Sequence, residues 1–230
     1  MRTTTQISSE RQAVIQAMQA LVAKRLTSGT SGNISVRGEE GMLITPTGVA
    51  PALLLPEHMV AMKLDGEAAP GQLTPSSEWR MHADLYRERP GINAIVHCHS
   101  RYATILACAH KPIPALHYMV AAAGGYGIPL ADYATFGSKA LSQANLHALS
   151  GTRACLLANH GQLATGTSLE EALKLAELVE ELAQCYWGSL AIGGPRVLDD
   201  GQMDEVLAAF EHYGQQASCP DISPGKRLEE

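Results

Sequence analysis

The chain has 230 residues, of which 46% are hydrophobic and 17% charged, and its formal net charge is −6. This length suits one domain with a sizeable core, and the net negative charge without a basic run argues against a nucleic-acid partner. The cysteines form no CxxC pair, and the sequence shows neither a signal pattern nor a run of ~20 apolar residues, so we expect a cytoplasmic protein with no membrane partner.

The first predicted elements are a helix and a hairpin. Residues 9–26 carry apolar side chains at helical spacing, which predicts an amphipathic opening helix. The segments NISVR and GMLITP follow, joined by a polar turn over residues 38–41. Short apolar runs separated by such a turn predict two strands at the start of a sheet.

Small residues stand where the predicted strands and the next helix meet loops. They are Gly32, Asn33, Thr47, Gly48, Ser76 and Ser77. Hydroxyl groups and bare backbone N–H groups bind phosphate without steric hindrance. The same residue types are also common in turns, so both interpretations stay open at any single pair.

A helix is predicted from about residue 77 to residue 89, with Glu78 at its beginning. A short apolar strand, NAIVHCH, is predicted next over residues 93–99. Alternate side chains of a strand share a face, so His97 and His99 should point the same way while Cys98 points into the core. Such a pair can hold a metal, although two histidines with satisfied hydrogen bonds at a strand end would give the same pattern.

A third histidine follows a second apolar strand, ACLLANH, which we predict over residues 154–160. Together His97, His99 and His160 would leave one position open, as in a catalytic zinc site. We expect Glu78 to be the further ligand, since a helix N-terminus favours a carboxylate. The remaining histidines are predicted to lie outside the site, on polar helical or helix-flanking positions such as His82, with His117 as the expected exception.

Further helices are predicted over residues 100–110, after a capping box at Ser168–Glu171, and from about residue 203 to residue 213. The alternation of strands and helices indicates an α/β fold. The glycines at 124–127 lack the GxGxxG spacing, so no dinucleotide is implied.

The chain resembles the class II aldolase and adducin head family over nearly its whole length. The matching segments are SGNISVR (31–37), MLITPTG (42–48), PSSEWRMH (75–82), VHCHS (96–100), IPALHYMVAAAGG (113–125), YATFG (133–137), NHG (159–161), and the pair Phe210 and Tyr213. The resemblance implies a single-domain three-layer α/β/α sandwich around a mixed, largely antiparallel sheet. We assign this domain to residues 1–214 and expect a flexible tail over residues 215–230.

The resemblance also implies function. It favours the phosphate role of the small residues and predicts a zinc-dependent aldolase with one ion per subunit, other divalent metals being possible. The expected substrate is a small phosphorylated sugar: L-fuculose 1-phosphate, or a related 5-deoxypentulose or methylthiopentulose 1-phosphate, cleaved to dihydroxyacetone phosphate and an aldehyde. Glu78 would serve as both metal ligand and proton carrier.

The remaining roles come from the family alone. Tyr118 would exchange a proton with the aldehyde oxygen in a neighbouring subunit's site, and Tyr213 would close that site from the C-terminal tail. Phe136 and Phe210 would form the pocket wall, and the family implies a homotetramer with sites between subunits.

Other functions remain compatible with these residues. Sugar-phosphate epimerases and methylthioribulose-1-phosphate dehydratases use similar histidines on the same fold. An adducin-like assembly module would be expected to lack the metal histidines, and a zinc hydrolase would not need the small phosphate-binding residues.

Overall fold

A computed structural model describes residues 4–210 of the chain. Its helices are α1 (Thr4–Ala23), α2 (Trp79–Glu88), α3 (Arg101–Cys108), α4 (Lys139–Ala148), α5 (Leu169–Ala191) and α6 (Asp200–Phe210). Its strands are β1 (Asn33–Arg37), β2 (Met42–Ile44), β3 (Val60–Met62), β4 (Ala94–Cys98), β5 (Leu130–Ala131), β6 (Ala154–Leu157) and β7 (Gly161–Gly166). Short 3₁₀ turns lie at Pro51–Leu53, Pro56–His58 and Tyr118–Ala123.

The strands form one seven-stranded sheet in the order β3-β2-β1-β4-β7-β6-β5. Every neighbouring pair is antiparallel except β5 and β6, which run parallel. The predicted mixed, largely antiparallel sheet is therefore confirmed. β4 lies at the centre between β1 and β7, and this position places the HxH segment among the most buried strands.

The sheet has an apolar core on each face, because its strands alternate their side chains between two helical layers. On one face, Ile34 and Val96 pack with residues of α1, α3 and α5. On the other, Ile95 packs with residues of α2 and α4. This is the three-layer α/β/α arrangement predicted for the chain. His97 follows the alternation of β4 and points toward the α2 layer.

Several elements differ from the sequence prediction. The opening helix starts at Thr4 rather than residue 9, and the second apolar strand ends at Leu157, so that His160 lies in a turn before β7. The strands β3, β5 and β7 and the helix α4 were absent from the prediction. The prediction that residues 215–230 form a flexible tail falls outside the described residues, as does Tyr213.

The helices of residues 4–210 include none with the length and apolar character needed to cross a membrane. Cys98 and Cys155 are buried free thiols, whereas Cys108 and Cys185 are exposed free thiols. The cores on both faces of the sheet bury Cys98 and Cys155 as ordinary small apolar residues.

Candidate active site

The site begins with the register between β1 and β4. Asn33 is the cross-strand partner of His97, so both side chains lie on the same face of the sheet. That face is covered by α2, and Glu78 is the residue at its N-cap position. The Nδ2 group of Asn33 donates a hydrogen bond to Oε2 of Glu78 over 3.0 Å. The hairpin and the helix thus meet at the carboxylate.

Three imidazoles converge beside this carboxylate. The ring centroids of His97, His99 and His160 lie 4.8–4.9 Å from one another, and the candidate ligand atoms of the three side chains all lie within 4.8 Å of one another. His97 is fully buried and the other two are partly buried. The sequence prediction that these histidines share one site agrees with this geometry.

Glu78 is within reach of the imidazole nitrogens on two sides. Its Oε2 is 3.2 Å from Nε2 of His97, and its Oε1 is 3.4 Å from Nε2 of His160. Oε1 is buried and accepts no hydrogen bond from the described residues. A buried carboxylate oxygen without a hydrogen bond is costly, and a cation between the carboxylate and the imidazoles would satisfy it.

The electrostatics of the cluster favour a neutral His99 and a neutral His160 beside an ionised Glu78. Burial lowers the pKa of both His99 and His160 to about 4, and neighbouring His97 adds to the effect. Burial alone would raise the pKa of Glu78, but His97 and then His160 and Asn33 outweigh it and hold that pKa well below its ordinary value. Neutral imidazoles and an ionised carboxylate are the protonation states that a metal requires, and His99, His160 and Glu78 meet this requirement. For His97, burial alone would lower the pKa, but the neighbouring Glu78 raises it above its ordinary value.

The donor set fits a divalent metal. In a tetrahedral zinc site with Zn–N bonds of ~2.0–2.1 Å, neighbouring ligand atoms are roughly 3.3 Å apart. The corresponding separations here are 3.0 Å between Nε2 of His97 and Nε2 of His99, and 3.2–3.4 Å from Glu78 to His97 and His160. No thiolate joins the cluster among residues 4–210, which distinguishes the site from a closed structural zinc site.

Close backbone packing holds His160 against β4. A Cβ on Gly161 would lie 2.5 Å from the backbone oxygen of Cys98 and 2.9 Å from Cδ2 of His99. The preceding Asn159 has a φ of 55°, which asparagine tolerates better than most residues. Its side-chain oxygen is 2.7 Å from Nε2 of His110. Only a glycine fits where this turn meets the HxH segment.

A cavity of about 340 Å³ opens beside the cluster. Its lining contains Glu78, His99 and His160. The same cavity is lined by all the residues predicted to bind phosphate, namely Gly32, Asn33, Thr47, Gly48, Ser76 and Ser77. The described residues of this lining include no lysine or arginine. An anion bound there would therefore meet hydroxyl, amide and backbone donors.

The residues predicted for the pocket wall are more dispersed. Phe136 lines the cavity and is 65% exposed. Phe210 packs instead against a small cluster around Met203. Tyr118 is exposed and stacks on His117, and neither residue is part of the cavity lining. Their predicted contact with a site therefore stays a prediction.

Tyr133 is a lining residue that the sequence analysis did not single out. Tyr133 is the first residue of the YATFG segment, and the match of that segment to the family pattern could have identified it as a site residue.

His82 was predicted to occupy a polar position outside the site, and this was wrong. The residue is fully buried in α2, and its Nε2 is 2.6 Å from Oδ1 of Asn33.

Comparison with known proteins gives a consistent result. Residues 12–187 match the family described as Class II Aldolase and Adducin N-terminal domain. The chain is 48% identical over 210 residues to a 5-methylthioribulose-1-phosphate/5-deoxyribulose-1-phosphate aldolase of Rhodospirillum rubrum, covering 91% of this chain and 95% of the relative. It is also 48% identical over 190 residues to the L-fuculose phosphate aldolase of Escherichia coli K12, covering 82% and 88%.

The fold agrees with these sequence relationships. A solved structure of an L-fuculose 1-phosphate aldolase superposes with a TM-score of 0.86 at 39% identity, covering 92% of this chain and 98% of the other. The matched family segment contains the histidine cluster, Glu78 and the whole cavity lining. The chain therefore belongs to the class II aldolase and adducin N-terminal domain family, and it is an aldolase of that family.

Proposed function

We propose that the chain is a zinc-dependent aldolase that cleaves a ketose 1-phosphate to dihydroxyacetone phosphate and a small aldehyde. One observation carries the proposal: the histidine cluster and Glu78 lie at the edge of a cavity whose lining includes a group of small hydroxyl, amide and glycine residues. The cluster suits the carbonyl end of such a substrate, and the small residues suit its phosphate.

His97, His99 and His160 would hold one divalent ion per subunit, together with Glu78. Nitrogen ligands with a further open position favour zinc, and other divalent ions that accept imidazole and carboxylate ligands fit the same side chains. The bound metal supplies Lewis-acid stabilisation for negative charge that develops on oxygen when the carbon–carbon bond breaks.

The phosphate is proposed to bind among Gly32, Thr47, Gly48, Ser76 and Ser77, which line the same cavity. Ser77 is exposed in the cavity, whereas Ser76 is buried and its Oγ accepts a hydrogen bond from the backbone N–H of Glu78 over 3.3 Å. Both serines precede α2, and the N-terminus of a helix favours an anion. The phosphate site is thus adjacent to the carboxylate along the chain.

Glu78 is proposed to carry a proton at the substrate carbon. In the cleavage direction, the bond between C3 and C4 breaks, the C4 hydroxyl loses its proton as the aldehyde forms, and C3 gains a proton to complete dihydroxyacetone phosphate. In the reverse step, the carboxylate of Glu78 would remove that C3 proton. Its position at the cavity edge gives it access to the substrate.

The proton at the aldehyde oxygen is assigned to Tyr118 of a neighbouring subunit, with Tyr213 closing the same site. The exposure of Tyr118, 45%, is compatible with a contact to a second subunit. This assignment requires the homotetramer implied by the family resemblance. The reaction is proposed to occur in the cytoplasm, where free thiols such as the exposed Cys108 remain reduced.

The aldehyde is proposed to end in a methyl or thiomethyl group. The relative from Rhodospirillum rubrum is named for 5-methylthioribulose 1-phosphate and 5-deoxyribulose 1-phosphate, and the relative from Escherichia coli for L-fuculose phosphate. Phe136 and Tyr133 give this chain's cavity an aromatic border, which suits an aldehyde with an apolar end.

The test is a product assay with zinc-loaded protein and a panel of ketose 1-phosphates. We expect dihydroxyacetone phosphate from at least one of the three named substrates. We also expect Glu78→Gln to lower turnover at least ~100-fold, the usual scale of acid–base help, while Glu88→Gln on the exposed end of α2 changes nothing. Epimerised or dehydrated sugar phosphate without carbon–carbon cleavage would instead establish one of the alternative reactions.

A further inference from the structure

A continuous line of buried hydrogen bonds leads from the interior of α2 to Glu78. The hydroxyl of Tyr86 is 2.8 Å from Oγ of Ser35, which is 2.7 Å from Nδ1 of His82. Nε2 of His82 is 2.6 Å from Oδ1 of Asn33, whose Nδ2 reaches Glu78 over 3.0 Å. The five residues joined by these hydrogen bonds are 0–7% exposed. We refer to these five residues as the buried relay.

The buried relay follows from two simple periodicities. Asn33 and Ser35 are alternate residues of β1, so both point toward α2. His82 and Tyr86 are four residues apart on α2, so both lie on one helical face and point back toward the strand. Polar residues on a buried strand face are therefore matched by polar residues on the covering helix.

The protons in the buried relay have only one consistent arrangement. The ionised carboxylate of Glu78 accepts only, so Asn33 must donate through Nδ2 and accept through Oδ1. His82 must then donate through Nε2. Burial lowers the pKa of His82 to about 3, so its ring carries a single proton at neutral pH and Nδ1 must accept.

The remaining links follow in the same direction. Since Nδ1 of His82 accepts, the hydroxyl of Ser35 must donate to it. Oγ of Ser35 is then free to accept from Tyr86, and burial raises the pKa of Tyr86 and keeps its hydroxyl protonated. Tyr86, Ser35, His82 and Asn33 thus each donate to the next residue toward Glu78, and Ser35, His82 and Asn33 each accept from the residue before them.

We propose that His82 is a positioning residue for the aldolase reaction: through the amide of Asn33, it fixes the orientation of the Glu78 carboxylate at the metal and substrate. The inference rests on the proposed role of Glu78. Without a donor at Nε2, the Asn33 amide loses the partner of its oxygen and can rotate that oxygen toward the carboxylate. The carboxylate then loses its neutral donor and gains a repulsive neighbour.

The first test is spectroscopic and uses the unmodified, zinc-loaded protein. The ¹⁵N spectrum of the His82 ring should show a neutral imidazole with its proton on Nε2 near neutral pH. A proton on Nδ1, or a charged ring, would contradict the arrangement and overturn the proposal. This measurement requires neither turnover nor a variant that folds.

The second test compares replacements at His82 with zinc in excess. His82→Leu removes both hydrogen bonds, and His82→Gln retains a side-chain N–H for Asn33. We expect the leucine variant to exchange the C3 proton of dihydroxyacetone phosphate with solvent at least ~10-fold more slowly, the usual effect of removing a group that orients a metal ligand. The glutamine variant should recover most of this rate. Equal losses in both variants would contradict the positioning role.

Ser35→Ala gives a milder change on the other side of His82, because it removes only the hydroxyl that donates to Nδ1. We expect slower exchange of the C3 proton of dihydroxyacetone phosphate with solvent. We also expect the ¹⁵N spectrum to show both neutral tautomers of His82 instead of one. The matched control is Thr104→Val, which removes another buried hydroxyl, one that has no hydrogen-bond partner among the described residues. Reduced exchange in both variants would indicate a general effect of buried hydroxyls and would overturn the proposal.

A double-mutant cycle separates this proposal from the proposed role of Glu78. If His82 acts through the carboxylate, His82→Leu should lower zinc affinity ~10-fold when Glu78 is present and leave it unchanged in the Glu78→Gln background. The same loss in both backgrounds would show that His82 acts elsewhere. Full turnover by Glu78→Gln would instead overturn the role of Glu78 itself.

Discussion

Nδ1 of His97 lies 2.8 Å from the backbone oxygen of Gln162. Because a carbonyl oxygen only accepts, the imidazole must donate through Nδ1, and the lone pair of Nε2 is then directed toward His99 and Glu78. Gln162 belongs to β7, the strand that begins directly after His160. The strand β7, which follows His160, therefore sets the tautomer of His97.

This geometry directs Nε2 of His97 into the cluster, so the first prediction concerns the role of His97 in metal binding. We expect His97→Ala to lower zinc affinity at least ~100-fold, more than the loss typical of an orienting group, because the ligand itself is removed. Metal analysis after dialysis against a weak chelator measures this loss of zinc affinity. His147→Ala, at an exposed position in the last turn of α4, should retain its metal. Full metal content and activity in His97→Ala would rule out the assignment.

A second prediction concerns the contact between the His160 turn and β4. Gly161→Ala places a methyl group 2.5 Å from the backbone oxygen of Cys98, and a backbone atom cannot move aside as a side chain can. We expect a loss of about 1–3 kcal/mol in the free energy of unfolding, together with weaker zinc binding, since the turn must shift away from His99.

Thermal unfolding and zinc titration measure these two effects. The control is Gly151→Ala, because an added Cβ there meets no atom within 4 Å. An alanine variant at Gly161 with unchanged stability and zinc affinity would show that the turn does not depend on this close approach.

Strand patterning and motif order were sufficient to predict that His97, His99 and His160 lie together with Glu78. The side chains of β4 alternate, Glu78 lies at the N-cap of α2 and His160 lies in the turn before β7. The β7 strand was missed for a physical reason. Its sequence, GQLATG, has glycine at each end and no run of β-branched residues, yet every one of its residues is buried. Its strand conformation depends on pairing with β4 and β6, which a local pattern does not contain.

The role of His82 was hidden for a related reason. A histidine on an amphipathic helix is usually a solvated residue, and nothing adjacent in sequence identifies its partners. Ser35 and Asn33 lie 47 and 49 positions away. The spacing of His82 and Tyr86 on one helical face was visible, but its meaning depends on the polar face of β1 packed opposite.

A third prediction concerns the phosphate. Ser77→Asp should raise the inhibition constant of dihydroxyacetone phosphate at least ~10-fold, equivalent to about 1.4 kcal/mol, because it places a like charge in the cavity and removes a donor. Ser77 is preferable to Ser76, whose hydroxyl also accepts from Glu78. The control is Ser150→Asp, at an exposed position outside the cavity, and it should leave the inhibition constant of dihydroxyacetone phosphate unchanged. An unchanged inhibition constant for the Ser77 variant would show that the phosphate does not bind beside Ser77.

The last prediction concerns selection of the aldehyde, which we expect to be weak. Phe136 and Tyr133 line the cavity with aromatic rings that are 65% and 63% exposed, and an apolar wall distinguishes small groups by only ~1–3 kcal/mol. The kcat/KM values for L-fuculose 1-phosphate and for the 5-deoxypentulose and methylthiopentulose 1-phosphates should therefore lie within ~200-fold of one another.

Phe136→Ala tests whether this wall contacts the departing aldehyde. We expect it to lower kcat/KM most for the methylthiopentulose substrate, because the thiomethyl group has the largest apolar surface to lose, while Leu53→Ala, at an exposed position away from the cavity, has no effect. A preference above ~10⁴ for one substrate in the unmodified enzyme would require a dedicated hydrogen-bonding group. That result would contradict an apolar wall as the determinant of specificity.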